Sequence, residues 1–296
     1  MTAFKRWGIF LTTNLLVLFA LSALMLFLGI KTEEWTSLLA LCAVFGFAGS
    51  IISLLLSKTM AKAGYKIQLI NRDNASGKAL FLYDSIEKMA AHKGIRTPEV
   101  GIYNSNDANA FATGASKNKS LIAFSSGILN SLNEEEISAV AAHEMTHITE
   151  GDMVTTTLLM GMINTFVMFA ARIIAGVLSG MGRSNRDGDT VGGGMLGGMG
   201  YFLVVMLIQN VLMIFANIAL AAHSRHREYA ADYGAAVITN PSYMITALEK
   251  ISQNYVPDKQ NDAYSIAKIN SKKYLSLFAT HPPVAKRIER LQKMMV

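Results

Sequence analysis

The chain has 296 residues, of which 51% are hydrophobic and only 16% are charged, and its mean hydropathy is +0.31. Water-soluble proteins usually carry about 25% charged residues, so this composition indicates a membrane protein. The net charge of +6 could indicate nucleic-acid binding. However, the Lys and Arg residues are scattered or flank apolar runs, and no basic segment is interleaved with aromatic residues. We therefore expect no nucleic-acid partner.

Two long uncharged runs open the chain, at residues 8–30 and 35–56. Each run is long enough to cross the hydrocarbon core of a bilayer, which is about 30 Å thick. Only residues 31–34 join them, so we expect an antiparallel transmembrane hairpin. A cleaved signal peptide is the alternative for the first run, because Lys5 and Arg6 precede it. The run is too long for that, and no small-residue cleavage site follows it.

Basic residues flank the outer ends of this hairpin. Lys5 and Arg6 precede the first run, whereas Lys58, Lys62 and Lys66 follow the second, and the connecting segment carries one Lys and two Glu. Cytoplasmic loops of membrane proteins are enriched in Lys and Arg. Both ends of the hairpin, and the polar chain that follows it, are therefore expected to face the cytoplasm.

Residues 58–153 show the pattern of a small α+β unit. Four apolar residues recur at helical spacing: Phe81, Leu82, Ile86 and Met89. They predict an amphipathic helix between residues 65 and 94. Short strand-like runs follow at 100–103 and 121–124, and residues 109–114 between them could form a third strand. We expect a small antiparallel sheet with open edges.

The clearest motif is an HExxH sequence that begins at His143 and ends at His147. Asn133, with Glu136 three residues later, forms a capping-box pattern that predicts a helix over the motif. Residues four apart lie on one face of a helix, so the two histidines can bind a single ion. Glu144 is rotated by about 100° from the first histidine, which suits it to hold a water beside the ion. Two packing histidines without a metal are the alternative.

Two further apolar runs, at residues 154–171 and 201–222, follow the motif. Asp152 suits the N-cap position of the first, and Arg172 interrupts it before it continues to residue 182. Because this run begins within two turns of the motif, the active site is expected to lie against the membrane surface. Residues 191–200 are so rich in glycine that we expect a flexible connection, and no GK[ST] sequence follows to make it a nucleotide-binding loop. A buried hairpin of a soluble protein is the alternative for these two runs.

A catalytic zinc ion usually takes three protein ligands and leaves the fourth position to water, so a third ligand is needed. Cys42 is the only cysteine and lies within the second apolar run, where a packing role is expected. The third ligand must therefore be a histidine or a carboxylate. Glu150 is the nearest carboxylate, but it lies roughly 10 Å along the helix axis from His143.

Glu228 is better placed, because it lies on a separate predicted helix that can approach the motif. Asp232, four residues later, shares its face and could hydrogen-bond a ligand histidine. His223 and His226 are competing ligands, although histidines beside a membrane are often interfacial. The alternative role for Glu228 is an ion pair with neighbouring arginines.

At these residues the chain resembles the zinc metallopeptidases of the HtpX type, bacterial heat-shock-linked membrane proteases related to the CAAX prenyl proteases. The resemblance spans nearly the whole chain. It is carried by the paired N-terminal runs, the sequence NAFATG at residues 109–114, HEMTH, two further apolar runs, EYAAD at residues 228–232, and the HPP sequence that begins at His281. It implies one zinc ion per chain with Glu228 as the third ligand, in agreement with the argument from spacing.

The resemblance also implies roles that the spacing does not assign. It implies a substrate cleft lined by Asn109, Ala110, Phe111 and Ala112. There the substrate backbone would add to the edge of the sheet. His281 resembles the family's histidine that donates to the developing oxyanion, although a turn histidine before two prolines is the alternative. Arg287 could pair with Asp232.

The sequence as a whole predicts a mainly α integral membrane protein with four transmembrane helices and a zincin-like α+β catalytic domain. Four segments are predicted. Residues 1–57 form an N-terminal transmembrane hairpin, and residues 58–153 form the first half of the catalytic domain. Residues 154–222 form a second transmembrane hairpin with the Gly-rich loop, and residues 223–296 form the second half of the catalytic domain. The expected activity is that of a zinc-dependent endopeptidase.

The resemblance implies that this endopeptidase degrades misfolded or damaged membrane proteins in the bacterial cytoplasmic membrane during stress. Its expected partners are polypeptides and the lipid bilayer. A metal-binding scaffold or chaperone without turnover, and a prenyl-protein protease, are the alternatives. An intact Glu144 speaks against the scaffold.

Overall fold

The computed structural model describes residues 35–181, 194–253 and 279–295. The first predicted membrane run, at residues 8–30, lies outside the described residues. In chain order the described elements are α1 (Trp35–Tyr65), β1 (Gln68–Ile70), α2 (Gly77–His92), β2 (Glu99–Tyr103), β3 (Ala110–Gly114), β4 (Ser120–Ser125), α3 (Ser126–Ser131), α4 (Glu134–Glu150), α5 (Asp152–Met181), α6 (Gly194–Ile238), α7 (Pro241–Gln253) and α8 (Val284–Gln292).

Three of the described helices are long and apolar enough to cross a membrane. These candidate spans are Thr36–Tyr65 in α1, Asp152–Leu178 in α5 and Met199–Ile238 in α6. The second, third and fourth predicted runs are therefore helical over lengths sufficient to cross a bilayer. The expected total of four spans rests on the first run as well, which the structure does not describe.

The chain divides into two compact units, and α1, α5 and α6 each contribute residues to both. The membrane unit includes the described residues 35–51, 158–181 and 194–220. The sheet unit includes the described residues 52–157, 221–253 and 279–295. The finer division into four segments stays a prediction.

In the membrane unit, α1 packs closely against α5. Leu38 and Cys42 form a buried cluster with Met168, and the thiol side chain of Cys42 is fully buried. A Cβ atom added to Gly46 would lie only 2.8 Å from the carbonyl oxygen of Gly161. The two helix backbones are therefore in close contact, which small residues permit in membrane helices.

The Arg172 side chain is buried within the membrane unit. Its Nη1 atom donates to the carbonyl oxygen of Met168 at 2.8 Å, one turn earlier in α5. Tyr201 of α6 donates to the carbonyl oxygen of Arg172 at 3.4 Å. Beside it, Ala171 packs with Val205. The helix backbone thus satisfies part of the hydrogen-bonding capacity of this intramembrane charge.

Helix α6 begins at Gly194, so the expectation of a flexible connection through residue 200 was wrong. Glycine has a low helix propensity, but context can override it, and glycine is frequent in membrane helices such as the one that this segment begins. Helix α6 ends at Ile238, and α7 begins at Pro241, a residue that suits the first turn of a helix.

The sheet unit contains a four-stranded sheet in the order β1-β2-β4-β3. Strand β2 pairs with β4 in parallel, with Val100 opposite Ile122, whereas the other two pairs are antiparallel. The predicted antiparallel sheet is therefore corrected to a mixed one. All six residues of β4 are buried, which favours a central position, while β3 is half-exposed and suits an edge. The chain reverses direction between β2 and β3, and it reverses again in the hairpin of β3 and β4. Strand β4 therefore runs in the same direction as β2, and the two strands pair in parallel.

The core of the sheet unit lies between the sheet, α2 and α4. Leu82 and Ile86 of α2 are fully buried, as their helical spacing predicted. They share a core cluster with Phe124 of β4, and with Ile137 and Met145 of α4. The amphipathic helix is shorter than the range from which it was predicted, because residues 68–70 form β1, a strand too short to show a period-2 pattern.

Helix α4 is fixed at both ends. The Glu136 backbone N–H donates to Asn133 Oδ1 at 2.8 Å, and the Asn133 N–H donates to Glu136 Oε2 at 2.9 Å, so the predicted capping box is confirmed. Lys250 of α7 pairs with the same buried Glu136 carboxylate at 2.7 Å. Gly151 ends the helix with a φ of 72°, a left-handed conformation that favours glycine.

Gly234 of α6 brings α6 close to α4. A Cβ atom added to Gly234 would lie 2.5 Å from Thr146 Oγ1 and 2.6 Å from Thr146 Cγ2. Real Cβ atoms do not approach that closely, and Thr146 is buried, β-branched and bonded through its hydroxyl to the Ala142 carbonyl. The absence of a side chain at Gly234 therefore sets the separation of the two helices.

We predict that Gly234→Ala lowers the free energy of unfolding by about 1–3 kcal/mol, because it overpacks this contact. The measurement is thermal unfolding of the full chain in detergent. Gly200→Ala is the matched control in the same helix, because nothing lies within 4 Å of a Cβ atom there. The double variant Gly234→Ala with Thr146→Ala should recover most of the lost stability. Equal melting temperatures for Gly234→Ala, Gly200→Ala and the double variant would contradict the prediction.

Candidate active site

The two histidines of the motif lie side by side on α4. Their Nε2 atoms are 3.2 Å apart, and the imidazole rings meet edge to face with an interplanar angle of 83°. Both side chains are largely buried, with 7% and 16% of their surface exposed for His143 and His147. The helical spacing of four residues therefore directs both Nε2 atoms to one point, as predicted.

Glu228 of α6 brings its carboxylate to the same point. Its Oε2 atom lies 3.7 Å from His143 Nε2, and its Oε1 atom lies 3.5 Å from His147 Nε2. One ligand atom from each of the three residues lies within 4.8 Å of the others, and no other such group occurs among the described residues. Glu150 is not part of this group, because its half-exposed carboxylate lies beside Arg227 at 3.6 Å.

The charge balance of the site fits a divalent cation. Four carboxylates are buried here, those of Glu144, Asp152, Glu228 and Asp232. Among the described residues, the guanidinium groups of Arg227 and Arg287 pair with them. If the histidines are neutral, these two guanidinium groups leave two of the four negative charges uncompensated. Two imidazole nitrogens and a carboxylate oxygen are also donors that suit zinc.

A carboxylate lies next to the Nδ1 atom of each histidine of the pair. His143 Nδ1 lies 3.0 Å from Asp232 Oδ1, and His147 Nδ1 donates to Asp152 Oδ2 at 2.7 Å. A proton held on Nδ1 leaves the Nε2 lone pair available for a metal. Asp232 stands where the sequence argument expected it. Asp152 was expected only as a helix cap, and its approach to His147 depends on the turn at Gly151, which spacing does not reveal.

Each of these carboxylates is held by an arginine. Arg287 of α8 binds Asp232 with two parallel hydrogen bonds, from Nε at 2.8 Å and from Nη2 at 2.6 Å. Burial alone would lower the pKa of Arg287, but its bond with Asp232 raises the pKa above the ordinary value, so it stays charged. Arg227 Nε lies 2.6 Å from Asp152 Oδ1. The predicted pair of Arg287 with Asp232 is confirmed, whereas the pair of Arg227 with Asp152 was missed.

The excess negative charge acts directly on His147. Burial alone would lower the pKa of its imidazole, but the carboxylates of Asp152 and Glu228 raise it to about 10. A cation that binds Nε2 must therefore displace a proton that is firmly held near neutral pH. The site is thus built to hold positive charge between the imidazoles and the carboxylate of Glu228.

The two predicted catalytic side chains lie beside this group. Glu144 is buried, with 8% of its surface exposed, and its charge is close enough to His147 to contribute to that raised pKa. His281 Nδ1 lies 3.0 Å from Glu228 Oε2, although 69% of the His281 side chain is exposed. An acidic group and a solvent-accessible imidazole therefore flank the site where a metal would bind.

Strand β3 forms an edge of the sheet, since no further strand pairs with it in the described parts of the chain. The carbonyl oxygen of Asn109 accepts from the Ser125 N–H at 2.9 Å, so the backbone groups of Asn109 point toward β4. Successive residues of an antiparallel strand point their N–H and C=O groups to opposite sides. Those of Ala110 and Ala112 therefore point toward the open edge, while the ring of Phe111 packs with Tyr103.

Comparison with known proteins agrees with this geometry. The model of peptidase family M48 matches residues 78–295. Protease HtpX of Tolumonas auensis is 43% identical over 296 residues, which cover 98% of this chain and 99% of that protein. Protease HtpX of Aeromonas hydrophila is 43% identical over 293 residues, covering 97% and 99% of the two chains.

A solved structure shares the fold. The crystal structure of S. mikatae Ste24p is similar with a TM-score of 0.64 and 19% sequence identity, over 98% of this chain and 67% of that one. Together with the three apolar helices, these relatives confirm a multi-pass membrane protein of the HtpX type. The chain belongs to peptidase family M48, and it is a membrane-embedded metalloprotease that acts on polypeptides.

Proposed function

We propose that the chain is a zinc-dependent endopeptidase in which His143, His147 and Glu228 hold one zinc ion. The observation that supports this most strongly is the convergence of two Nε2 atoms and one carboxylate in a buried site that contains three further buried carboxylates. Zinc bound there would act as a Lewis acid, polarising the scissile carbonyl and lowering the pKa of the attacking water. The carboxylates of Asp232 and Asp152 hold the imidazoles in the orientation that this requires.

In this mechanism Glu144 is the general base. It accepts a proton from the attacking water and then donates that proton to the leaving amine of the cleaved peptide. His281 donates a hydrogen bond to the oxyanion that develops on the scissile carbonyl. Its exposed ring next to Glu228 supports this role, because a substrate can reach it. Arg287 keeps Asp232 ionised beside His143.

The backbone of the substrate adds to strand β3 in this proposal. The outward N–H and C=O groups of Ala110 and Ala112 offer the hydrogen bonds that an extended peptide needs. Asn109 anchors the start of the strand to Ser125, and α4 packs against β3, so the edge and the metal ligands belong to one packed unit. The side chain of Phe111 lies on the sheet face opposite to the side chains of Ala110 and Ala112, and it packs with Tyr65 and Tyr103.

We propose that the natural substrates are misfolded or damaged membrane proteins of a bacterial inner membrane, cleaved on its cytoplasmic side. The membrane helices support a substrate source in or near the bilayer. The basic residues Lys58, Lys62 and Lys66, at the C-terminal end of α1, support the orientation. The resemblance to heat-shock-linked proteases supports a role in stress.

The orientation can be tested with single cysteines in a Cys42→Ser background. A membrane-impermeant maleimide should label Lys117→Cys, in the exposed connection between β3 and β4, only after spheroplasts are opened. Thr32→Cys, in the segment between the first two apolar runs, is the matched control and should be labelled in intact spheroplasts. The reverse pattern would place the catalytic unit outside the cytoplasm.

We predict that Glu144→Gln reduces cleavage of an unfolded membrane protein by about 100-fold to 10,000-fold, because the general base is lost. Its zinc content, measured by metal analysis of the purified protein, should equal that of the wild type. Glu135→Gln is the matched control, since Glu135 is an exposed carboxylate in the first turn of the same helix. A Glu144→Gln protein with normal cleavage would eliminate this mechanism.

We predict that Ala112→Pro raises KM about fivefold while zinc content is unchanged. Proline removes the outward N–H of residue 112, a hydrogen bond of about 1 kcal/mol with the substrate, without breaking a bond to β4. Ala112→Ser keeps this N–H and should retain a nearly normal KM. Steady-state cleavage of a fluorescent unfolded protein gives both values, and an unchanged KM in Ala112→Pro would argue against substrate pairing with this edge.

A further inference from the structure

We propose that Asp152 is a positioning residue for the metal centre, acting on the ligand His147 and on the helix that carries Glu228. This inference rests on the proposed metal-binding role of His143, His147 and Glu228. It assigns to the first residue of α5 a task that neither the HExxH pattern nor the EYAAD sequence contains.

The first contact of Asp152 is with the ligand histidine. Its Oδ2 atom accepts a hydrogen bond from His147 Nδ1 at 2.7 Å, and its side chain is largely buried, with 11% of its surface exposed. This bond fixes both the tautomer and the rotation of the ring, so that Nε2 points at His143 and Glu228. Without it, the imidazole could turn or carry its proton on the nitrogen that must bind the metal.

The second contact of Asp152 is with the helix of the third ligand. Its Oδ1 atom lies 2.6 Å from Arg227 Nε, and Arg227 directly precedes Glu228 in α6. One carboxylate therefore joins a ligand on α4 to the turn of α6 that presents the other ligand. Glu150 also lies near Arg227, but at 3.6 Å and with 56% of its side chain exposed, so it contributes little to this connection.

The chain reaches this arrangement through the turn at Gly151. Its φ of 72° ends α4 and starts α5 at the next residue, which directs the Asp152 side chain back toward His147. The result matches the arrangement on the other side of the site, where Asp232 lies between His143 and Arg287. Each ligand histidine is thus held by its own aspartate and arginine.

The test is the zinc dissociation constant of the full chain in detergent, measured by competition with a chelator. Asp152→Ala should bind zinc about 10-fold to 100-fold more weakly than the wild type, the usual cost of losing a hydrogen-bond partner of a ligand histidine. Asp152→Asn, whose amide oxygen can still accept from Nδ1, should lie between the two. Glu150→Gln is the matched control and should bind zinc normally.

A role in geometry rather than in folding has its own signature. The absorption bands of bound Co²⁺ should shift in Asp152→Ala and move back toward the wild-type spectrum in Asp152→Asn. Where Asp152→Ala does not yield a folded protein, Arg227→Met removes the second contact and should weaken zinc binding while Glu150→Gln does not. Normal zinc affinity and an unchanged Co²⁺ spectrum in the folded variants would overturn the proposal.

The same experiment separates this inference from the proposed function. Glu228→Ala should lose zinc. If it does, and the Asp152 variants bind zinc like the wild type, only the positioning role fails. If Glu228→Ala binds zinc normally, the proposed ligand set itself is wrong.

Discussion

The buried carboxylate of Glu228 is the constraint on which the rest of the site depends. It lies 3.5–3.7 Å from two imidazole nitrogens in a site that also contains three other buried carboxylates. Burying carboxylates is strongly unfavourable unless enough positive charge lies close to them, and these four carboxylates exceed the two guanidinium groups that the described residues place beside them. A cation bound by His143, His147 and Glu228 would supply that charge and would join α4 to α6. The third and fourth apolar runs separate His147 from Glu228 in the sequence.

The remaining side chains of the site orient the two histidine ligands of this cation. Asp232 and Asp152 hold the imidazoles from behind, and Arg287 and Arg227 hold the two aspartates. Because these contacts reach from α4 to α5, α6 and α8, the site is completed only when four helices are packed together. The small volume of Gly234 against Thr146 permits the approach of α6. The packing of these helices and the geometry of the metal site therefore depend on the same few residues.

The parts of this structure that local patterns determine could be predicted from the sequence. The capping box at Asn133 and the four-residue spacing of the histidines describe a single helix, and Glu228 was found because a catalytic metal needs a third ligand. The contact of Asp152 with His147 could not be predicted, since it depends on one backbone angle at Gly151. The parallel pairing of β2 with β4 also escaped prediction, because hydrophobic patterns show which strands are buried but not their neighbours. The roles of Asn109 and His281 came from family resemblance rather than from spacing.

The most direct test is the structure of the zinc-loaded protein around its metal, determined by X-ray absorption together with crystallography or electron cryomicroscopy. The account predicts two imidazole nitrogens from His143 and His147 and one Glu228 oxygen, each at about 2.0–2.2 Å from zinc. A coordination sphere completed by a third histidine, such as His226 or His281, with the Glu228 carboxylate turned away, would contradict it.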